Sequence, residues 1–185
     1  VTPSAAVGTG LSNYSITYNT GAVTINKATL TVTADNQSRV YGNANPSLTY
    51  TITGYKNSET SSVVTGTPSI STAASTTSNV GSYTITSAAN NLSATNYQFS
   101  YVNGSLTVTP KSLTITAAAQ STTYGTVVTT GFGSTLFTSS GLINSDAVNT
   151  VTIATNQLVT TNAGASSITV TPSAAVGTGL SNYSI

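Results

Sequence analysis

Leu30, Val32 and Ala34 alternate with Thr29, Thr31 and Thr33, and this two-residue rhythm recurs along the chain. Leu48, Tyr50 and Ile52 keep it, as do Tyr83/Ile85, Tyr97/Phe99/Tyr101, Leu106/Val108 and Leu113/Ile115. Successive side chains of a strand point to opposite faces. Each run therefore has one apolar face and one face rich in hydroxyls, a surface that suits Thr, Val, Ile and Tyr. The pattern predicts an all-β fold of small modules with about six strands each, a sandwich or a grasp-like arrangement. Asn103-Gly104, set between two runs, predicts a tight hairpin. A single helical turn is expected after Asn57-Ser58, with Glu59 facing the free amides of its first turn.

A repeat organises these strands. Residues 1–16 read VTPSAAVGTGLSNYSI and residues 170–185 read the same, an offset of 170 − 1 = 169. An identity of this length implies a tandem array with a 169-residue period. A weaker repeat divides the period. Lys27-Ala-Thr-Leu-Thr-Val-Thr-Ala leads to Tyr41-Gly42, and Lys111-Ser-Leu-Thr-Ile-Thr-Ala leads to Tyr124-Gly125. The spacing from Leu to Tyr is the same in both, 41 − 30 = 11 and 124 − 113 = 11. Gly54…Asn57-Ser58-Glu59 answers Gly141…Asn144-Ser145-Asp146, and Asn79-Val-Gly81 answers Asn162-Ala-Gly164. Asn96-Tyr97…Gly104 answers Asn13-Tyr14…Gly21.

The period thus reads as a module A of 111 − 27 = 84 residues and a module B of 169 − 84 = 85. Residues 1–26 are expected to be the C-terminal part of a preceding B, 27–110 a complete A, and 111–185 the N-terminal part of the next B without its last strand. The parent polypeptide is expected to continue past both ends. Only Pro110-Lys111-Ser112 separates the strands at one junction and Asn26-Lys27 at the other, so the array should form an extended rod. At about 3.3 Å per strand residue, each period should advance on the order of 70 Å.

Composition removes whole classes of function. Charged residues are 4% of the chain, against about a quarter in ordinary domains. Yet 38% are hydrophobic and regularly spaced, which sets the chain apart from a disordered Ser/Thr tract. Four scattered basic residues make no phosphate-tracking stripe, so nucleic acid is not an expected partner. No apolar run approaches the roughly twenty residues of a membrane-spanning helix. With no His there is no ordinary base to activate Ser or Thr, and no Cys or His to bind zinc. The acids are Asp35, Glu59 and Asp146, too few and too far apart to suggest a calcium site or a glycosidase pair. The reading is no enzyme, no cofactor and no metal. The matching positions of Glu59 and Asp146 suggest a shared turn or helix-start role.

Taken as a set, Lys-x-x-Leu-Thr-Val-Thr-Ala, Tyr41-Gly42, Gly54…Glu59, Asn79-Val-Gly81-Ser-Tyr83 and Asn96-Tyr97…Tyr101-Val-Asn-Gly104-Ser-Leu-Thr-Val resemble the MBG/YDG bacterial repeat modules, close to the YGX type. The likeness covers A and, less strictly, B, where Tyr124-Gly125-Thr126 lacks the acidic residue of the YDG name. It implies a place in large bacterial adhesins, secreted or at the cell surface. The leading expectation is a stalk for cell adhesion or biofilm formation, whose partners are neighbouring repeats of the same polypeptide. An alternative is a module binding extracellular polysaccharide or host glycans through avidity, with Tyr41 and Tyr124 as candidate contacts. A further alternative is a filament subunit, with the segment from Thr17 to Asn26 donated as a strand to another chain.

Overall fold

A computed structural model describes all 185 residues, Val1–Ile185, and apart from single 3-10 turns every regular element is a strand. Seven strands come from 27–110: β1 (Ala28–Ala34), β2 (Gln37–Val40), β3 (Tyr50–Thr53), β4 (Ser69–Thr72), β5 (Gly81–Ala88), β6 (Tyr97–Val102) and β7 (Gly104–Thr109). One sheet has the order β3-β1-β6, in which β1 runs antiparallel to β3 and parallel to β6. The other has the order β2-β7-β5-β4, in which β7 runs parallel to β2 and antiparallel to β5. Leu30, Val32 and Ala34 of β1 are buried, as are Ile85 of β5 and Leu106 and Val108 of β7. Ala34, Ile85 and Leu106 pack together with Ala74, joining the two sheets. The result is a small β-sandwich, whose threonine faces look outward as the alternation predicts.

The expected hairpin at Asn103-Gly104 does not form. β6 and β7 are separated by Asn103 alone, yet they belong to different sheets. A two-residue hairpin needs positive φ at its turn, and neither Asn103 nor Gly104 has one. Instead the Asn103 side chain accepts a hydrogen bond from the Ser87 amide at 3.0 Å, and Gly104 lies against the Ala34 carbonyl, where a Cβ has no room. The chain turns a corner there and passes from one sheet to the other. The helical turn is also displaced. A 3-10 turn forms at Ser61–Val63 with Thr60 as its cap, so the Glu59 side chain is directed elsewhere.

Segment 111–185 repeats much of this plan. Its strands are β8 (Lys111–Ser112), β9 (Thr114–Ala117), β10 (Gly131–Ser134), β11 (Phe137–Ser140), β12 (Ala147–Thr155), β13 (Val170–Thr178) and β14 (Tyr183–Ser184). β8 pairs in parallel with β14, and β9 pairs antiparallel with β11, reproducing the neighbours of β1. β12 pairs antiparallel with β13, as β4 does with β5, while β10 is an addition on the far side of β12. Gly54 (φ +102) and Gly141 (φ +112) close the matching strands. At each a Cβ would meet a backbone carbonyl, Thr29 O at 2.7 Å or Ser112 O at 2.6 Å. No strand of 111–185 takes the place that β7 holds in the first sandwich, and Gln120–Thr123, the counterpart of β2, is not in a ladder. Residues 1–26 contain one 3-10 turn, Leu11–Asn13, and no strand.

The sandwich rests on β7. Replacing fully buried Leu106 with Ala should cost about 2–5 kcal/mol in urea denaturation, through lost apolar transfer and the cavity left behind. Replacing outward-facing Thr107 with Ala should cost about 1 kcal/mol or less.

Candidate functional site

The most developed constellation of side chains lies where the two halves meet. It begins with a local turn. Asn144 and Ser145 both have positive φ (55 and 64), and the Asp146 amide donates to the Ile143 carbonyl at 2.9 Å. This is a mirror-image turn, tolerated because Asn adopts the left-handed region more readily than most residues. It carries the Asp146 carboxylate to the hydroxyl of Tyr183, which donates to Oδ2 at 2.8 Å. Tyr41, just after β2, donates to the same oxygen at 3.0 Å. The two rings meet edge to face, with centroids 5.7 Å apart. One half-buried carboxylate therefore holds a tyrosine from each half, through the same oxygen, by charge-assisted hydrogen bonds.

Packing surrounds this link. Tyr41 and Val108 from the first half cluster with Leu113 and Tyr183 from the second, and all four are buried. Ile143 packs at the edge of the cluster, against Gly42. Gly42 has φ +83, and a Cβ there would fall on the Ile143 Cδ1. A second polar link runs alongside: Asn182 Oδ1 accepts from the Val80 amide at 2.8 Å, and Asn182 Nδ2 donates to Asn79 Oδ1 at 3.1 Å. Only Pro110 separates β7 from β8, so neither half can swing without breaking these contacts.

The first half carries the same acid–tyrosine pair. Asn57 and Ser58 have positive φ (53 and 58), and Glu59 accepts from the hydroxyl of buried Tyr97. The Lys56 amide donates to the Tyr97 hydroxyl at 2.8 Å, as the Ile143 amide donates to that of Tyr183 at 2.9 Å. Tyr55 meets Tyr97 edge to face at 6.2 Å. Donation to Glu59 raises the pKa of Tyr97, whereas Tyr183 is raised chiefly by burial, with donation to Asp146 adding to it. Glu59 and Asp146 do share a role in a turn, but each ends on a tyrosine and not on a helix start. The signal was present in the sequence, since acid and tyrosine repeat together as Glu59/Tyr97 and Asp146/Tyr183.

Residues 30–107 match the family model of the MBG domain (YGX type). The first module is an MBG domain of the YGX type. No curated protein and no solved structure matches the chain. MBG domains occur in surface proteins and form a structural family, not an enzyme family. No helix here is long and apolar enough to cross a membrane.

The candidate residues read from the sequence fare differently. Tyr41 of the MBG domain is 2% exposed, and its ring is enclosed by the junction, so it offers no face to a ligand. Its counterpart Tyr124 is 65% exposed. Thr17 and Asn26 bound an exposed segment, and Lys27 Nζ donates to the Ala94 carbonyl at 3.1 Å. Sequence reasoning missed Asn79 and Asn182, because their bond spans 103 residues.

Tyr41→Phe, which removes only the hydroxyl, should cost about 1.5 kcal/mol, measured by urea denaturation. A double-mutant cycle with Asp146→Ala should show coupling between the two positions. A pH dependence also follows. The folded chain keeps the phenols of Tyr97 and Tyr183 protonated beyond the ordinary value of 10.0. Their contribution is therefore complete below pH 10.0 and is lost as pH rises through the higher folded values. Denaturation midpoints should fall as pH rises above 10.0, and Tyr183→Phe should blunt the fall.

Proposed function

We propose that this chain is a length of spacer from a bacterial cell-surface or secreted adhesin or fibre, whose modules follow one another in fixed orientation and hold a functional end away from the cell. The observation that carries this reading is the junction: a one-residue linker, a shared apolar cluster and a carboxylate bridging Tyr41 and Tyr183. Such a connection resists bending, as a stalk in cell adhesion or biofilm formation requires. It uses neither metal nor disulfide, so its stiffness should not respond to calcium. Small-angle scattering of arrays with one, two and three periods should give a longest dimension that grows by about 70 Å per period, unchanged by EDTA. A dimension that grows far less than in proportion would sink the rod.

A second reading, a module for glycans or matrix polysaccharides, draws support from exposed Tyr124 and from Phe132, which is 79% exposed. Binding of a several-period array that strengthens with repeat number and is lost in Tyr124→Ala would move the function there.

A further inference from the structure

The MBG domain contains a cavity of ≈ 600 Å³, and every residue that lines it falls between Tyr50 and Leu92. One wall is the inner side of β3, the edge strand of its sheet. Tyr50 and Ile52 stand opposite Ala34 and Val32 in the β1–β3 ladder, and ladder partners share a face, so both point inward. Ala34 is 2% exposed, as a core position should be, yet Tyr50 beside it is 36% exposed. An inward-facing aromatic ring is thus left open to solvent.

The segment after β3 builds the rest. The turn at Asn57-Ser58, both with positive φ, returns the chain so that Tyr55 and Glu59 line the cavity. Thr60 caps the short turn Ser61–Val63, and Thr60 and Ser61 line it too. A bridge between Thr65 and Ser93 fixes the other wall. There Gly66 (φ +78) comes so close to Asn91 that a Cβ would lie 2.2 Å from its carbonyl oxygen. Val64 and Leu92 add apolar surface to that of Ile52. The walls are held by backbone contacts, so the cavity is preformed.

Two polar groups at this cavity lack partners. Tyr55 Oη is shielded from solvent and makes no hydrogen bond, which in a native fold calls for an explanation. Burial raises the pKa of that phenol, and the nearby Tyr50 adds to the shift. Glu59 accepts from Tyr97 through Oε2, and its Oε1 has no partner in the protein. Module B shows that the fold does not need these hydroxyls. Tyr50, Tyr55 and Thr60 correspond there to Phe137, Leu142 and Ala147. The first module therefore keeps three hydroxyls, around one cavity, at positions where the second is apolar.

We propose that this cavity binds a short stretch of a neutral polysaccharide. A sugar ring has apolar C–H faces and a rim of hydroxyls that both donate and accept. Tyr50, Ile52, Val64 and Leu92 offer apolar surface to the faces, while Ser61 and Glu59 Oε1 meet the rim. A sugar hydroxyl also gives Tyr55 Oη the partner it lacks. No Lys or Arg lines the cavity and its one charged group is a carboxylate, so an acidic sugar is refused. Neither Tyr124 nor Phe132 takes part. The site goes beyond the spacer role: one weak site in every period lets a long array hold a polysaccharide along its length by avidity.

Titration of the 185-residue chain with neutral gluco-, manno- and galacto-configured tetrasaccharides, followed by amide NMR, tests this. At least one of them should give saturable shifts between Tyr50 and Leu92, with one site per chain and a Kd on the order of millimolar. Tetragalacturonate should give none. Tyr50→Ala should weaken binding about tenfold. Tyr55→Phe should weaken it about fivefold yet leave the free chain at least as stable in urea, because the lost hydroxyl has no partner. Failure of all the neutral sugars to bind overturns the proposal, as does equal binding of tetragalacturonate. So does binding that survives Tyr50→Ala and is lost in Tyr124→Ala. None of these outcomes changes the scattering dimension of an array, so the site and the spacer can fail separately.

Discussion

A backbone amide or carbonyl removed from water must find a partner, and in this molecule that demand falls most heavily on one strand. β7 lies between β2 and β5, satisfies both, and contributes Leu106 to the sandwich core and Val108 to the junction. No strand of segment 111–185 stands at that position. Gln120–Thr123 has the sequence of a β2 counterpart but no ladder, and the core beside β13 opens into a groove. The parallel pairing of β2 has no other strand to turn to, so its existence is conditional on β7.

The junction extends the same economy. With seven ionisable Lys, Arg, Asp and Glu residues in all, 4 + 3, the chain has little scope for ion-pair networks. It places two of its three acids against buried tyrosine hydroxyls instead. A carboxylate accepting from neutral donors keeps its charge without needing a counter-ion, and the rings around it supply apolar area. The link between the two halves is thus made by packing and charge-assisted hydrogen bonds.

The strands themselves were legible, because alternation of Thr with Leu, Val and Tyr leaves a half-buried strand as the one structure that segregates the faces. The corner at Asn103-Gly104 was not. Its residues match a hairpin signal, and what diverts them is contact with Ser87 and Ala34, each well removed in sequence. Tyr41 was legible as a recurrent aromatic but not as a buried one, since the residues that bury it lie in the other half. For the same reason the acids read as turn residues: the tyrosines they hold come from distant strands.

The two identical segments separate these levels within one molecule. In both, the glycine before the short turn is left-handed (Gly10 φ 77, Gly179 φ 70), a 3-10 turn follows at Leu11–Asn13 and Leu180–Asn182, and the matching alanines Ala5 and Ala174 have positive φ. These features depend on a few neighbouring residues, so sequence alone determined them. Val170–Thr178 is a strand against β12, whereas residues 1–9, identical in sequence, form none. A strand is completed by hydrogen bonds to another strand, and for Val170–Thr178 only the tertiary structure supplies that partner, by laying β12 alongside.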